Sequence, residues 1–272
     1  MEIGVCSWSL QVRSIPELAR LMQQLGVAVV HIACGDPQHG SWGEGDAMPA
    51  AAKSAKFRMC SAMLAFPGED YTTPQSIART GGFGPKVLRP ERMDRLRWAL
   101  ERTNQLGLTN LTFHAGFLPE PTDPERKPFL NTLAAVGDAC TQAGVTAAFE
   151  TGQETADLLR RTLDDLACPA LKVNFDPANV LLYDMDDPIR AIEILAPDIQ
   201  SVHAKDAKRP KVKSSWGEEV PLGKGEVNMF AFVTALKKAG YDGPLCIERE
   251  VGSQEQRIAD IAAGISVLRS LV

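Results

Sequence analysis

Short apolar runs alternate along the chain with longer stretches in which apolar residues recur at i, i+3 and i+4. The short runs predict strands over 3–7, 27–33, 57–65, 109–114, 145–150, 171–176, 199–204 and 244–248. Helical spacing covers 15–25, 45–55, 90–106, 124–143, 154–166, 186–196, 226–239 and 253–271. Ser14-Ile15-Pro16-Glu17 reads as a helix start, with a capping hydroxyl ahead of a proline in the first turn. Gly26, Gly107, Gly144 and Gly240 each stand between a helical stretch and a strand, where the chain leaves a helix through a left-handed residue. Eight such βα units predict an α/β chain folded as one (β/α)8 TIM barrel over residues 1–272. A doubly wound open sheet would carry a glycine-rich turn after its first strand, and Cys6-Ser7-Trp8-Ser9 is not one.

Composition narrows the function classes. Hydrophobic residues are 44% and charged residues 23% of the chain, which suits a packed core and argues against disorder. Lys and Arg number 29 against 34 Asp and Glu, a net charge of −5 with no long basic run, so no nucleic-acid partner is expected. No uninterrupted apolar stretch is long enough to cross a membrane, and the start lacks the basic and apolar regions of a signal peptide. A cytoplasmic protein without a membrane partner is expected. The six cysteines are scattered without a C-x-x-C pair, which predicts buried free thiols.

Segments 66–89, 115–124 and 205–225 are long for simple connections, and each follows a strand, so all three should rise from the catalytic face. The residues that close strands converge on that face. Ala147-Ala148-Phe149 ends in Glu150, Val173-Asn174-Phe175 in Asp176, Ser201-Val202 in His203, and Leu245-Cys246-Ile247 in Glu248. Three carboxylates and an imidazole around one axis would repel beside a dry core unless a cation lay among them. The four therefore predict a site for one divalent metal ion. Three oxygens and one nitrogen suit a fairly hard ion, Mn²⁺ first, with Mg²⁺, Co²⁺ or Zn²⁺ as alternatives.

Phe149-Glu150, Asn174-Phe175-Asp176-Pro177-Ala178-Asn179, Val202-His203-Ala204-Lys205-Asp206 and Ile247-Glu248 resemble the xylose-isomerase-like barrel superfamily of sugar isomerases and epimerases. The resemblance covers essentially the whole chain. It implies Glu150, Asp176, His203 and Glu248 as metal ligands, as in ketose 3-epimerases, with Glu150 and Glu248 also moving the proton. Physically, a metal holding a carbonyl and its neighbouring hydroxyl acidifies the α-proton, two carboxylates can take and return it, and the intermediate is an enediolate.

Those epimerases carry a His three residues after the metal Asp and an Arg six residues after the metal His. Asn179 replaces the first and Arg209 keeps the second, so both are expected to contact substrate. Asn179 can hydrogen-bond a hydroxyl but cannot shuttle a proton, a departure from the strict 3-epimerase pattern. His-x-Lys-Asp also resembles inosose dehydratases and keto-sugar lyases of the same superfamily, in which Lys205 would polarise a carbonyl or protonate a leaving hydroxyl. His114, followed by Ala115-Gly116, matches a superfamily His-x-Gly signature and is expected at the substrate. Trp8, Phe66, Phe117 and Trp216 are candidate aromatic walls for a sugar ring. His31 is read as a core histidine or one that supports a ligand, and Glu250 stands outside the metal shell. The glycines of Leu222-Gly223-Lys224-Gly225-Glu226 are expected to shape a loop.

The sequence thus points to a metal-dependent sugar isomerase or epimerase acting on a small sugar or keto-sugar. An inosose-type dehydratase or 3-keto-glycoside lyase on the same site is the alternative, and a catalytically silent binding barrel stands behind both. The apurinic DNA endonucleases of this fold are remote: Asn179 removes one of their ligands, Gly217-Glu218-Glu219-Val220-Pro221 stands where they carry Asp-x-His, and the net charge is wrong for DNA. Relatives of this type form dimers or tetramers, which makes a homo-oligomer an expectation.

Overall fold

A computed structural model describes residues 1–36 and 38–272. Its strands are β1 Ile3–Cys6, β2 Val29–Ala33, β3 Arg58–Met63, β4 Asn110–Phe113, β5 Thr146–Glu150, β6 Leu171–Phe175, β7 Ile199–Ala204, β8 Asp206–Lys208, β9 Glu218–Val220 and β10 Leu245–Ile247. β1 to β7 and β10 form a closed barrel in the order β1-β10-β7-β6-β5-β4-β3-β2. Every barrel pairing is parallel, so each connection must climb back outside the barrel, and helices do this. The chain is a single-domain TIM barrel, as expected.

The eight expected strands are all present, most of them a residue or two shorter than the apolar runs. The runs overshoot because strand-end residues are buried and apolar or functional without being hydrogen-bonded into the ladder. The helix Ile15–Leu25 starts as read: the Ser14 hydroxyl accepts the Glu17 N–H and Pro16 sits in the first turn. Gly26, Gly107, Gly144 and Gly240 all have positive φ.

The long segments hold structure that periodicity did not reveal. Residues 66–89 include a helix at Pro74–Thr80, the turn after β6 is a helix at Pro177–Leu182, and 205–225 contains the antiparallel hairpin β8–β9. These elements are too short for a repeat to emerge from apolar spacing. Gly82 sits at φ +47 with its Cα so close to the Ala115–Gly116 peptide that a Cβ would come within 2.1 Å of it, which locks segment 66–89 against the loop after β4.

One continuous core of aliphatic and aromatic side chains fills the space between barrel and helices. Phe66 belongs to it, edge-on to Phe83 and Phe113, and is fully buried. This corrects its reading as a sugar-facing wall: the residue just past β3 still points into the layer between strands and helices. All six cysteines are free thiols, four of them buried. Among the described residues no helix is long and apolar enough to cross a membrane.

Candidate metal centre and cavity

Glu150 is the last residue of β5, and Asp176 follows β6 as the cap of helix Pro177–Leu182. The Asp176 Oδ1 accepts the N–H groups of Ala178 at 2.8 Å and Asn179 at 3.0 Å, which fixes the carboxylate and leaves Oδ2 free. His203 lies in β7, and Glu248, one residue past β10, is tied to it by its N–H on the Ala204 carbonyl. Ligand atoms of all four lie within 4.8 Å of one another. His203 Nδ1 is 3.4 Å from Glu150 Oε1, 3.5 Å from Glu248 Oε2 and 3.8 Å from Asp176 Oδ2.

The donor set fits a divalent cation. Asp176 Oδ2 and Glu150 Oε2 are buried acceptors without a hydrogen-bond partner among the described residues, the condition a cation between them would relieve. Burial pushes the Asp176 carboxyl up to about 6, with Lys205 and His203 only partly opposing it. For His203, burial disfavours charge, yet Cys6, Glu248, Glu150 and Asp176 hold its proton affinity well above the ordinary value. The surroundings of Nδ1 therefore favour positive charge there.

Behind the four candidate ligands stands a shell that orients them. His203 Nε2 is 3.0 Å from His31 Nδ1, and His31 Nε2 is 3.0 Å from the Thr112 hydroxyl, which reaches the Ala62 carbonyl at 3.3 Å. Desolvation pulls the His31 imidazole down to about 3, so it stays neutral. A neutral His31 accepting from His203 Nε2–H fixes the ring with Nδ1 toward the carboxylates, where a cation in place of a proton would make Nδ1 a ligand. The indole Nε1 of Trp8 donates to Glu248 Oε1 at 2.6 Å, and Asn179 Nδ2 donates to Glu150 Oε1 at 2.9 Å.

Glu150 and Glu248 of the cluster line a cavity of about 410 Å³, within the usual range for small-molecule sites, while Asp176 and His203 are fully buried. Glu150, Glu248, His114, Asn179, Lys205 and Trp216 line it as the sequence led us to expect. Trp8 instead supports Glu248 from behind, and Phe117 packs edge-on to Tyr183. Arg209 is directed elsewhere, to the Asp184 carboxylate at 2.7 Å and the Asp186 carbonyl, and does not line the cavity. Its spacing from His203 is kept, but the β8–β9 hairpin carries it outward.

Lys205 is buried, not a solvated loop lysine. Its Nζ is 2.9 Å from Glu248 Oε2 and 2.7 Å from Glu250 Oε2, with Glu219 at 3.8 Å and Asp176 at 4.0 Å. Burial opposes its charge, and Glu248 and then the other carboxylates hold its proton affinity well above the usual value. Sequence reasoning missed Glu69, Tyr71, Tyr183, His39 and Glu219, which also line the cavity. They come from loops and a hairpin, where no period marks a facing side. Asp206 anchors the hairpin loop by accepting from Ala207, Gly223, Gly225 and Val227, and a Cβ on Gly225 would lie 2.1 Å from its Oδ1.

Residues 8–271 match the family described as xylose isomerase-like TIM barrel, and the chain belongs to that family. A xylose isomerase domain protein from Planctomyces limnophilus is 31% identical, with a TM-score of 0.86 over 99% of this chain and 96% of that one. The IolI protein, solved with a bound zinc atom, shares 14% identity and a TM-score of 0.75 over 100% of this chain and 99% of that one. The 3-keto-D-glucoside 4-epimerase YcjR from E. coli shares 15% identity and a TM-score of 0.67, covering 99% of each chain. These last two share the fold. No curated protein matches the chain.

Proposed function

We propose that this protein is a divalent-metal-dependent sugar isomerase or epimerase in which Glu150 and Glu248 move the proton next to a substrate carbonyl. One observation carries this reading: Glu150 and Glu248 line a single cavity, converge with Asp176 on His203 Nδ1, and leave Glu150 Oε2 and Asp176 Oδ2 without partners. A divalent ion bound to Glu150, Asp176, His203 and Glu248 would supply polarisation of a carbonyl and its neighbouring hydroxyl.

The chain's own groups do the rest. Asn179 donates to Glu150 Oε1 and so fixes the carboxylate that accepts the proton at the cavity wall. Burial opposes ionisation of Glu150, yet His114 and His203 keep its carboxyl below the usual range, so it is ionised and able to accept at neutral pH. Trp8 and Lys205 hold both oxygens of Glu248 in a fixed orientation for the return of the proton. Tyr71, Tyr183 and Trp216 give the cavity aromatic side walls. Proteins of the same fold include an L-ribulose 3-epimerase and a 3-keto-D-glucoside 4-epimerase, which agrees with a keto-sugar substrate.

The position of Lys205 favours a second reading, a lyase. After the same abstraction by Glu150, a β C–O bond would break, its electron pair would leave with oxygen, and Lys205 would protonate that oxygen to release water or an alcohol.

Solvent deuterium uptake into ketoses, keto-inositols and 3-keto-glycosides, with added Mn²⁺ and in a chelated control, tests both. Metal-dependent uptake without mass loss is expected for the isomerase or epimerase, and elimination of water or alcohol would transfer the assignment to the lyase. Glu150→Gln should lower exchange by roughly 10²–10⁴-fold. Undiminished exchange in Glu150→Gln or in Glu248→Gln would remove the two-carboxylate mechanism.

A further inference from the structure

Resting on that reading, we infer that the cavity selects an uncharged sugar and rejects its phosphorylated form, with Glu219 and Glu250 as specificity-determining residues. The lining carries five carboxylates, Glu69, Glu150, Glu219, Glu248 and Glu250, and Asp176 lies beneath them. Against these stands one lysine, and among the described lining residues there is no arginine. Lys205 is already shared between Glu248 and Glu250, with Glu219 and Asp176 beyond. The five wall carboxylates and Asp176 outnumber the three charges that Lys205 and a divalent ion would bring.

The groups that could otherwise receive a phosphate are committed internally. Arg249 is held by Glu219 at 2.6 Å and Asp260 at 2.9 Å, and Arg209 by Asp184 and the Asp186 carbonyl. Gly223-Lys224-Gly225 looks like an anion cradle in sequence, but its Gly223 and Gly225 N–H groups both point at Asp206 Oδ2, at 2.9 Å each. Of the wall histidines, His39 faces Asp36 at 3.4 Å, while His114 makes no hydrogen bond among the described residues but lies 3.9 Å from Glu150, so a phosphate drawn to it would also meet that carboxylate. A phosphate entering here would lose its hydration without gaining a charge-assisted partner and would meet carboxylates of like sign. Hydroxyl groups meet the opposite condition. They donate to carboxylates, and the C–H face of a sugar ring could rest against Trp216 and Tyr183, whose rings pack edge-on at 4.8 Å.

Glu250 is the residue to alter. It follows β10, its carboxylate is 45% exposed at the cavity mouth, and Lys205 keeps Glu248 as a partner without it. The test compares D-fructose with D-fructose 6-phosphate, and inorganic phosphate alone, on the full chain loaded with Mn²⁺. Saturation-transfer NMR reads binding, and deuterium uptake is recorded separately. The free sugar should bind at least about tenfold more tightly than its phosphate, and Glu250→Gln should narrow that gap. Equal or tighter binding of the phosphate by the wild-type protein overturns the inference, whatever the variant does. A gap unchanged in both Glu250→Gln and Glu219→Gln removes these residues from the selectivity. Binding of the free sugar in preference to the phosphate without deuterium uptake would uphold the inference and count against the isomerase. Uptake with preference for the phosphate would do the reverse. Binding of no ligand at all would overturn the inference with the sugar assignment on which it rests.

Discussion

Two residues at the centre show how much depends on what stands behind a ligand. His31 contacts no substrate space, yet its Nδ1 lies against His203 Nε2 and its own Nε2 is anchored on Thr112. Replacing it with Ala should weaken Mn²⁺ binding by roughly 10–100-fold, the usual cost of losing a partner of a metal histidine, measured by calorimetric titration. Wild-type affinity in His31→Ala would show that His203 needs no such anchor. His39 gives a pH-dependent counterpart at the cavity rim. Burial disfavours its charge, but Asp36 raises its proton affinity, while His39 in turn lowers the Asp36 carboxyl against the upward push of burial. The stability from His39 is therefore fully present below its unfolded value of about 6.5 and is lost as pH rises through the raised folded value. The Asp36 share is lost only at low pH, as its depressed value is crossed. Melting curves of chelated protein should show wild type ahead of His39→Gln by about 1 kcal/mol near pH 6, with the difference shrinking on the alkaline side. A difference independent of pH would show that the pair is not ionic. The clustering of the strand-end residues Glu150, Asp176, His203 and Glu248 was legible because a titratable residue closing an apolar run is visible in one dimension. His39, Glu69 and Tyr71 were not, because they lie in loops whose facing side no spacing records.

At the scale of elements, the loops above the barrel hold each other through few contacts. Trp216 Nε1 reaches the Tyr71 carbonyl at 3.2 Å, and Gln75 reaches the Ser214 carbonyl at 2.8 Å, so segments 66–89 and 205–225 meet over the cavity. Underneath, Asp206 gathers four backbone N–H groups on one carboxylate and sets the path of residues 221–227. Asp206→Ala would leave those donors without an acceptor and should cost about 2–4 kcal/mol, read by urea denaturation. Hydrogen exchange of residues 221–227 should rise in the same variant, and unchanged protection there would mean the loop is held by other contacts. The glycines of this turn were correctly expected to shape a loop. That they do so around an internal carboxylate was not readable, since Asp206 and Gly225 approach only once β8 and β9 pair.

For the whole molecule, the barrel brings together four candidate ligands that are 98 positions apart at the extremes, and an ion bound there would tie β5, β6, β7 and β10 into one unit. Folding and metal binding are then linked. Mn²⁺ at a hundred times its dissociation constant should stabilise the protein by about 2.7 kcal/mol, a rise of roughly 5–10 °C in Tm for a chain of this size. Chelation should reverse the shift, and Asp176→Ala should abolish it. An identical melting curve with and without Mn²⁺ in the wild-type protein would argue that the four residues hold no ion.

What the amino-acid sequence determined by itself was periodic or terminal. Eight buried strands, the helices between them, the caps at Ser14 and the left-handed glycines follow from local sterics and from the burial of every second or every third to fourth residue. Residues that end strands inherit their convergence from the barrel, so Glu150, Asp176, His203 and Glu248 could be named before any contact was known. Tertiary structure alone decided which neighbours those residues have. It turned Trp8 into a clamp for Glu248, sent Arg209 outward to Asp184, buried Phe66, and drew Lys205 in among four carboxylates. The physical reason is that charge pairing and hydrogen bonding act over a few ångströms between segments far apart in the chain, and no one-dimensional spacing encodes those distances.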